Sequence, residues 1–163
     1  MHKPVTALST LKKKIINCNG GLIYTFAVFL LLAISNGYFF SFLSDRFFHL
    51  NLNAEFPGIE KEQVAILAIL AAPLIETLIF QFFLYAFLTK TCKIKSAVLC
   101  VLIMSLIFSQ VHWYNWLYVV AIFFGGIILN SFYIIIYKRN NFIVAFCLTV
   151  LFHTLYNLYA TFF

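Results

Sequence analysis

Five long apolar runs divide the chain, and short polar connections separate them. A helix needs roughly 20 apolar residues to cross a hydrocarbon core about 30 Å thick. The runs therefore predict membrane spans at residues 21–43, 63–88, 96–115, 116–137 and 142–163. The third span is long enough only if His112 to Asn115 extend it. None of the runs alternates with a period of two residues, so we expect helices rather than a membrane β-barrel.

The composition agrees with this pattern. Hydrophobic residues make up 64% of the 163 residues and charged residues only 10%, whereas a soluble domain carries about 25% charged residues. We therefore expect one integral membrane domain over residues 1–163. Its fold class is all-α, a polytopic membrane bundle of five transmembrane helices.

The basic residues mark alternate connections along the chain. They precede the first span, separate the second from the third, and separate the fourth from the fifth: Lys3, Lys12, Lys13, Lys14, Lys90, Lys93, Lys95, Lys138 and Arg139. The positive-inside rule makes residues 1–20 a cytoplasmic tail and residues 44–62 an outer loop, with the C-terminus outside. Because topology accounts for the net charge of +6, the expected partner is the lipid bilayer and not nucleic acid.

The N-terminal segment permits a second interpretation. A basic block at Lys12–Lys14, an apolar core at Leu22–Leu32 and the small residues that follow could form a cleaved signal peptide. The apolar stretch continues through Phe42, beyond the length of a usual signal core. We therefore expect the first helix to remain as a membrane anchor.

Three ionisable residues lie at membrane depth, each on a different predicted helix: Glu76, His112 and His153. They lie 14, 17 and 12 residues from Lys90, Lys95 and Asn141 at the cytoplasmic ends. At 1.5 Å per residue their depths are about 21, 26 and 18 Å. Because a carboxylate inside the bilayer costs several kcal/mol, such groups usually find partners and serve a function. We expect these three residues to share one pocket.

Asn157 joins this group, because it lies four residues after His153 on the same helical face. Each residue also has an interpretation without catalysis. Glu76 could be a protonated structural residue. His112, close to Trp113, could mark the outer interface, and His153 could hydrogen-bond to another helix.

The residue types permit several kinds of chemistry. Glu76 could act as general base on a water while the imidazoles share the proton traffic and Asn157 donates to an oxyanion, without a cofactor. Glu76, His112 and His153 could instead be a three-ligand zinc set. A proton-coupled transporter could use Glu76 as a relay, but the inverted repeats that many transporters carry are not evident.

Three segments resemble the motifs of a known family. They are APLIETLIFQ at residues 72–81, FSQVH at residues 108–112 and HTLYN at residues 153–157. They resemble the motifs of the CPBP family, the CAAX-protease and bacteriocin-processing (Abi) intramembrane proteins. The usual patterns there are E-E-x-x-x-R, F-x-x-x-H and H-x-x-x-N/D, in this order on successive membrane helices. The resemblance covers about residues 73–157.

The resemblance implies an intramembrane endopeptidase of the glutamate type. Glu76 matches the general base that activates water, and His112 matches the histidine that assists it. His153 and Asn157 match the pair that stabilises the tetrahedral oxyanion. The substrate would be a membrane-associated peptide or protein, and the location the bacterial cytoplasmic membrane. The alternative is a non-catalytic relative that acts as a bacteriocin-immunity or peptide-binding membrane protein.

The first motif departs from the family pattern at two positions. Thr77 stands in place of the second glutamate, and Gln81 in place of the arginine. Because the two positions are four residues apart and face the same way, a charged pair is replaced by a neutral polar pair. We expect Gln81 to be structural. Pro73 cannot donate to the carbonyl of Ile69 and is expected to bend the helix, which could admit water beside the base.

Overall fold

The described part of the chain is built from helices. The computed structural model describes the backbone of residues 5–50, 52 and 60–162, and the side chains of residues 20–50, 52, 60 and 62–162. Helix α1 runs over Val5–Leu43 and continues in a wider π-helical turn, Ser44–Phe48, and α2 covers residues 61–91. The remaining helices are α3 at Ala97–Gln110, α4 at Trp116–Arg139 and α5 at Phe142–Phe162.

Length and surface both identify a membrane protein. Four helices, α1, α2, α4 and α5, are long and apolar enough to cross a bilayer, and α3 is a shorter apolar helix. Large apolar side chains are exposed all round the bundle, among them Ile23, Leu31, Phe83 and Val98. The expected all-α polytopic membrane bundle is confirmed. The assignment of the two sides of the membrane stays a prediction.

The ends of α1 differ from the predicted first span. The backbone is helical from Val5, inside the predicted tail, and stays helical through Phe48, inside the predicted outer loop. His49 ends the helix because its φ of 52° is left-handed, a conformation that cannot continue a right-handed helix. The helix accommodates the polar residue Ser44 because the Ser44 hydroxyl donates to the carbonyl of Leu50.

The third helix does not extend to Asn115. It ends at Gln110, because the side chain of Asn115 caps the next helix and must leave the helical conformation to do so. The Asn115 carboxamide oxygen accepts from the amide of Tyr118 at 2.9 Å. His112 therefore lies in a turn between α3 and α4, where its own carbonyl accepts from Tyr114.

Helix α2 alternates between α-helical and wider π-helical turns. The α-helical parts are Lys61–Ile66, Ala72–Glu76 and Leu84–Ala86, and the π-helical parts are Leu67–Ala71, Thr77–Phe83 and Phe87–Thr91. Short π-helical insertions are frequent at functional sites. Two of these turns flank the α-helical segment that ends in Glu76.

Pro73 interrupts the hydrogen bonds of α2. In the π-helical turn before it, the amide of Ala72 donates to the carbonyl of Leu67, five residues earlier. The next amide in that register would reach Ala68, but it belongs to Pro73, which has no N–H. The sequence predicts that the carbonyl of Ile69 lacks its helical donor. In the structure the carbonyl without a helical donor is instead that of Ala68, one residue earlier. The bend itself stays a prediction.

Helix α4 is the centre of the bundle and packs against α1, α3 and α5. Phe132 on α4 and Phe152 on α5 stack with ring centroids 5.1 Å apart, and Phe26 of α1 meets both edge-on. Gly126 of α4 lies against Ser105 of α3, so closely that a Cβ there would meet Ser105 at 3.3 Å. This close contact brings Ser105 of α3 within hydrogen-bonding reach of Asn130 of α4.

Candidate active site

The carboxylate of Glu76 lies between the imidazoles of His112 and His153. Its Oε1 is 3.7 Å from Nε2 of His112, and its Oε2 is 3.7 Å from Nε2 of His153. The Glu76 side chain is 22% exposed. Residues from α2, the turn after α3, and α5 are thus brought to one point, as their common depth predicts.

Phe108 holds both imidazoles in place. Its carbonyl is 2.8 Å from Nδ1 of His112, and because a carbonyl only accepts, Nδ1 carries the donated proton. Nε2 of His112 is thereby turned towards Glu76. The Phe108 ring packs on both imidazoles, with centroid distances of 4.6 Å to His112 and 6.2 Å to His153.

His153 is more deeply buried than His112. Its side chain is 8% exposed, against 16% for His112. While Nε2 faces Glu76, the buried Nδ1 has no hydrogen-bond partner among the described residues. His153 therefore has one nitrogen at the site and the other in the interior of the bundle.

Asn157 donates to a backbone carbonyl that lacks a helical donor because of Pro73. Its Nδ2 donates to the carbonyl of Ala68 at 2.8 Å, the carbonyl that the missing N–H of Pro73 cannot satisfy. An amide nitrogen has two N–H groups, so one remains for another acceptor. Asn157 also lines the cavity that contains Glu76 and His153.

A cavity of about 780 Å³ contains Glu76, His112, His153 and Asn157. Side chains of all five helices line it, and most of its wall is apolar. Such a combination, a largely apolar cavity with a few convergent polar groups, is typical of binding and active sites. The acidic residues of the wall are Asp45 and Glu76, and none of the described residues that line it is Lys or Arg.

The zinc alternative requires three ligand atoms about 2.0–2.2 Å from one ion. Among the side chains that the structure describes, those of residues 20–50, 52, 60 and 62–162, no group of three or more His, Cys, Asp or Glu is arranged to hold a metal ion. We therefore derive no step through zinc.

Comparison with known families identifies the family of the chain. Residues 62–159 match the Rce1-like family, described as type II CAAX prenyl endopeptidase Rce1-like. The match begins at the start of α2 and ends near the end of α5, so it contains every residue of the candidate site. The chain belongs to the Rce1-like family. The CPBP resemblance is thereby confirmed, whereas no curated protein and no solved structure gives a significant match to the chain.

The two departures from the family pattern are buried, and one of them, Gln81, belongs to a neutral hydrogen-bond network. Nε2 of Gln81 donates to Oδ1 of Asn130 at 3.0 Å, and Nδ2 of Asn130 donates to Oγ of Ser105 at 3.0 Å. Ser105 in turn donates to the carbonyl of Val101 at 2.7 Å. Gln81, Asn130, Ser105 and Thr77 are each 0% exposed. The expectation that Gln81 is structural agrees with these bonds.

All four predicted site residues line the same cavity, and Glu76 contacts both histidines directly. Their roles in the Rce1-like chemistry stay predictions. Phe108 was not predicted as the support of both imidazoles, although it is the first residue of its motif. Thr149, which lies one helical turn before His153 and is 0% exposed, was not predicted either.

Proposed function

We propose that this Rce1-like protein is an intramembrane endopeptidase that uses Glu76 to activate water. The observation that carries the proposal is the placement of one carboxylate between two imidazoles in a large, mostly apolar cavity. The two distances of 3.7 Å between the histidine Nε2 atoms and the Glu76 carboxylate exceed the length of a direct hydrogen bond. Catalytic contacts are often this long in the absence of substrate.

The hydrolytic step uses each residue at a stated atom. The carboxylate of Glu76 takes a proton from water while the water oxygen bonds to the carbonyl carbon of the peptide. The resulting oxyanion accepts from Nε2–H of His153 and from the free N–H of Asn157. When the C–N bond breaks, the proton held by Glu76 passes to the leaving amine. His112 assists through Nε2, which faces the same carboxylate.

The cavity suggests the class of substrate. Its wall is largely apolar, and the carboxylates and imidazoles among the described residues that line it are those of Asp45, Glu76 and the two histidines. We infer a peptide segment from a membrane-associated peptide or protein, apolar in sequence and neutral or cationic near the scissile bond. The match to prenyl endopeptidases adds C-terminal prenylated peptides to the candidates. The proposed location is the bacterial cytoplasmic membrane.

Hydrolysis can be tested directly with isotopic water. The purified protein in lipid nanodiscs is incubated in H₂¹⁸O with apolar synthetic peptides, with and without a C-terminal prenylated cysteine, and with solubilised host membrane proteins. Mass spectrometry of the products is expected to find new carboxyl termini that carry one ¹⁸O atom. Products without ¹⁸O, or none at all, would contradict a peptidase that activates water. Metal analysis of the same preparation tests the zinc alternative.

A further inference from the structure

Four buried polar atoms belong to α2 and α5, two helices that pack against each other. They are Oγ1 of Thr77, Oε1 of Gln81, Oγ1 of Thr149 and Nδ1 of His153, and none has a hydrogen-bond partner among the described residues. The π-helical segment Thr77–Phe83 packs against α5, and Thr149 lies one turn before His153. The side chains are 0% exposed, apart from 8% for His153.

Thr77 and Thr149 differ from three other helical threonines among the described residues. Thr25, Thr89 and Thr161 each donate to the carbonyl four residues earlier, at distances of 2.7–2.8 Å. Thr77 and Thr149 make no such bond. Their hydroxyl protons are therefore available to a group in the bundle interior.

Gln81 is fixed with its oxygen towards the same interior. Its Nε2 donates to Asn130, whose own amide donates to Ser105. Turning the Gln81 amide over would set its oxygen against Oδ1 of Asn130, two acceptors face to face. Oε1 of Gln81 is thus a fixed acceptor.

We propose that one internal water is bound among these four atoms and sets the tautomer of His153. Buried waters typically make about three hydrogen bonds, with a range of two to four, to otherwise unsatisfied polar groups. This water accepts from the hydroxyls of Thr77 and Thr149 and donates to Oε1 of Gln81 and Nδ1 of His153. All four atoms are then satisfied.

The consequence for His153 follows from the direction of these bonds. A ring nitrogen that accepts a hydrogen bond carries no proton, so the proton of the neutral imidazole stays on Nε2. Nε2 is the nitrogen that faces Glu76. Thr77, Gln81 and Thr149 are therefore positioning residues, which keep the His153 donor directed into the cavity.

The tautomer can be measured without a substrate. The chain has four histidines, so a protein labelled with ¹⁵N in its imidazole rings gives few signals, and loss of a signal in His153→Gln assigns His153. The wild-type spectrum at neutral pH is expected to show Nε2 protonated and Nδ1 unprotonated. A wild-type His153 with its proton on Nδ1 would overturn the proposal.

Paired substitutions test the threonines. The double variant Thr77→Val and Thr149→Val removes both hydroxyls and is expected to increase the share of His153 that is protonated on Nδ1. The double serine variant keeps the hydroxyls and is expected to match the wild type, as is the control Thr154→Val. A double valine variant that is folded and has the wild-type spectrum would overturn the water site.

The catalytic part of this inference rests on the proposed function and has a separate readout. The double valine variant is expected to lower kcat by up to about 10²-fold, the scale of losing one oxyanion donor, with KM unchanged. The double serine variant is expected to restore kcat. If the protein cleaves no peptide but the spectra behave as stated, the proposed function fails while the water site stands.

Discussion

Glu76 and Thr77 are neighbours on α2, yet they face two different environments. Glu76 is 22% exposed in the cavity and contacts two ionisable side chains. Thr77 and Gln81 are 0% exposed, and the hydrogen-bond partner of Gln81 is neutral. We call these the acidic face and the neutral face of α2.

The difference shows where this fold places charge. A charge away from water is costly unless it is paired and hydrogen-bonded. On the acidic face, the cavity and two imidazoles offset that cost for Glu76. On the neutral face, the Gln81 amide and the hydroxyl groups of Thr77 and Thr149 are buried on α2 and α5. No ion has to be desolvated there. Chemistry and helix packing are thus assigned to different faces of one helix, about 100° apart at Glu76 and Thr77.

The largest expected effect on stability comes from placing a charge on the neutral face. Gln81→Arg puts an unpaired cation into a fully buried network, which typically costs about 3–5 kcal/mol. Adding Thr77→Glu supplies a partner one turn away, and the pair should recover about 0.5–3 kcal/mol of coupling energy. The measurement is the free energy of unfolding in detergent micelles for the two single variants and the double variant.

Gln110→Arg is the matched control, because Gln110 is an exposed glutamine at the end of α3. It should change the free energy of unfolding by less than about 0.5 kcal/mol. If Gln81→Arg were as mild as this control, the neutral face would be open to water, and the contrast between the two faces would be wrong.

A smaller effect tests the link between Pro73 and Asn157. Asn157→Leu removes the donor to the Ala68 carbonyl and should lower the free energy of unfolding by about 1 kcal/mol. In a Pro73→Ala background the new backbone N–H can take over that carbonyl, so the same change should cost less. Thermal unfolding of the four proteins measures this coupling.

Asn36→Leu provides the comparison for this cycle, because Asn36 donates to the carbonyl of Ala121 on another helix. Asn36→Leu should lower the stability to thermal unfolding by the same amount whether position 73 is Pro or Ala. Equal costs of Asn157→Leu in both backgrounds would show that Pro73 is not the reason why Asn157 bonds to α2.

Much of the acidic face follows from the sequence. Charges are so rare inside the spans that Glu76, His112 and His153 stand out, and counting 1.5 Å per residue sets them at similar depths. The three residues meet even though α2 contains π-helical turns and His112 lies beyond the end of α3, because these departures leave the three depths similar. The turn that contains His112 was harder to predict, because the side-chain cap of Asn115 ends the third helix early.

The neutral face could not be predicted in the same way. Thr77, Gln81 and Asn130 are polar but common, and their partners depend on how α2, α3 and α4 rotate about their axes. The π-helical turns of α2 change that rotation, and apolar periodicity does not reveal them. The bond from Asn157 to Ala68 likewise depends on the π-helical register before Pro73.

The cleavage rate of Glu76→Gln tests the central claim most directly. The isotopic assay is run on wild type, Glu76→Gln and Glu62→Gln, where Glu62 is an exposed glutamate at the start of α2 that does not line the cavity. The wild type and Glu62→Gln should cleave at equal rates, and Glu76→Gln should be slower by about 10²–10⁴-fold while remaining folded. Undiminished cleavage by Glu76→Gln would contradict the role of Glu76 as the general base, whereas no cleavage by any of the three proteins would favour a relative that binds peptides without cutting them.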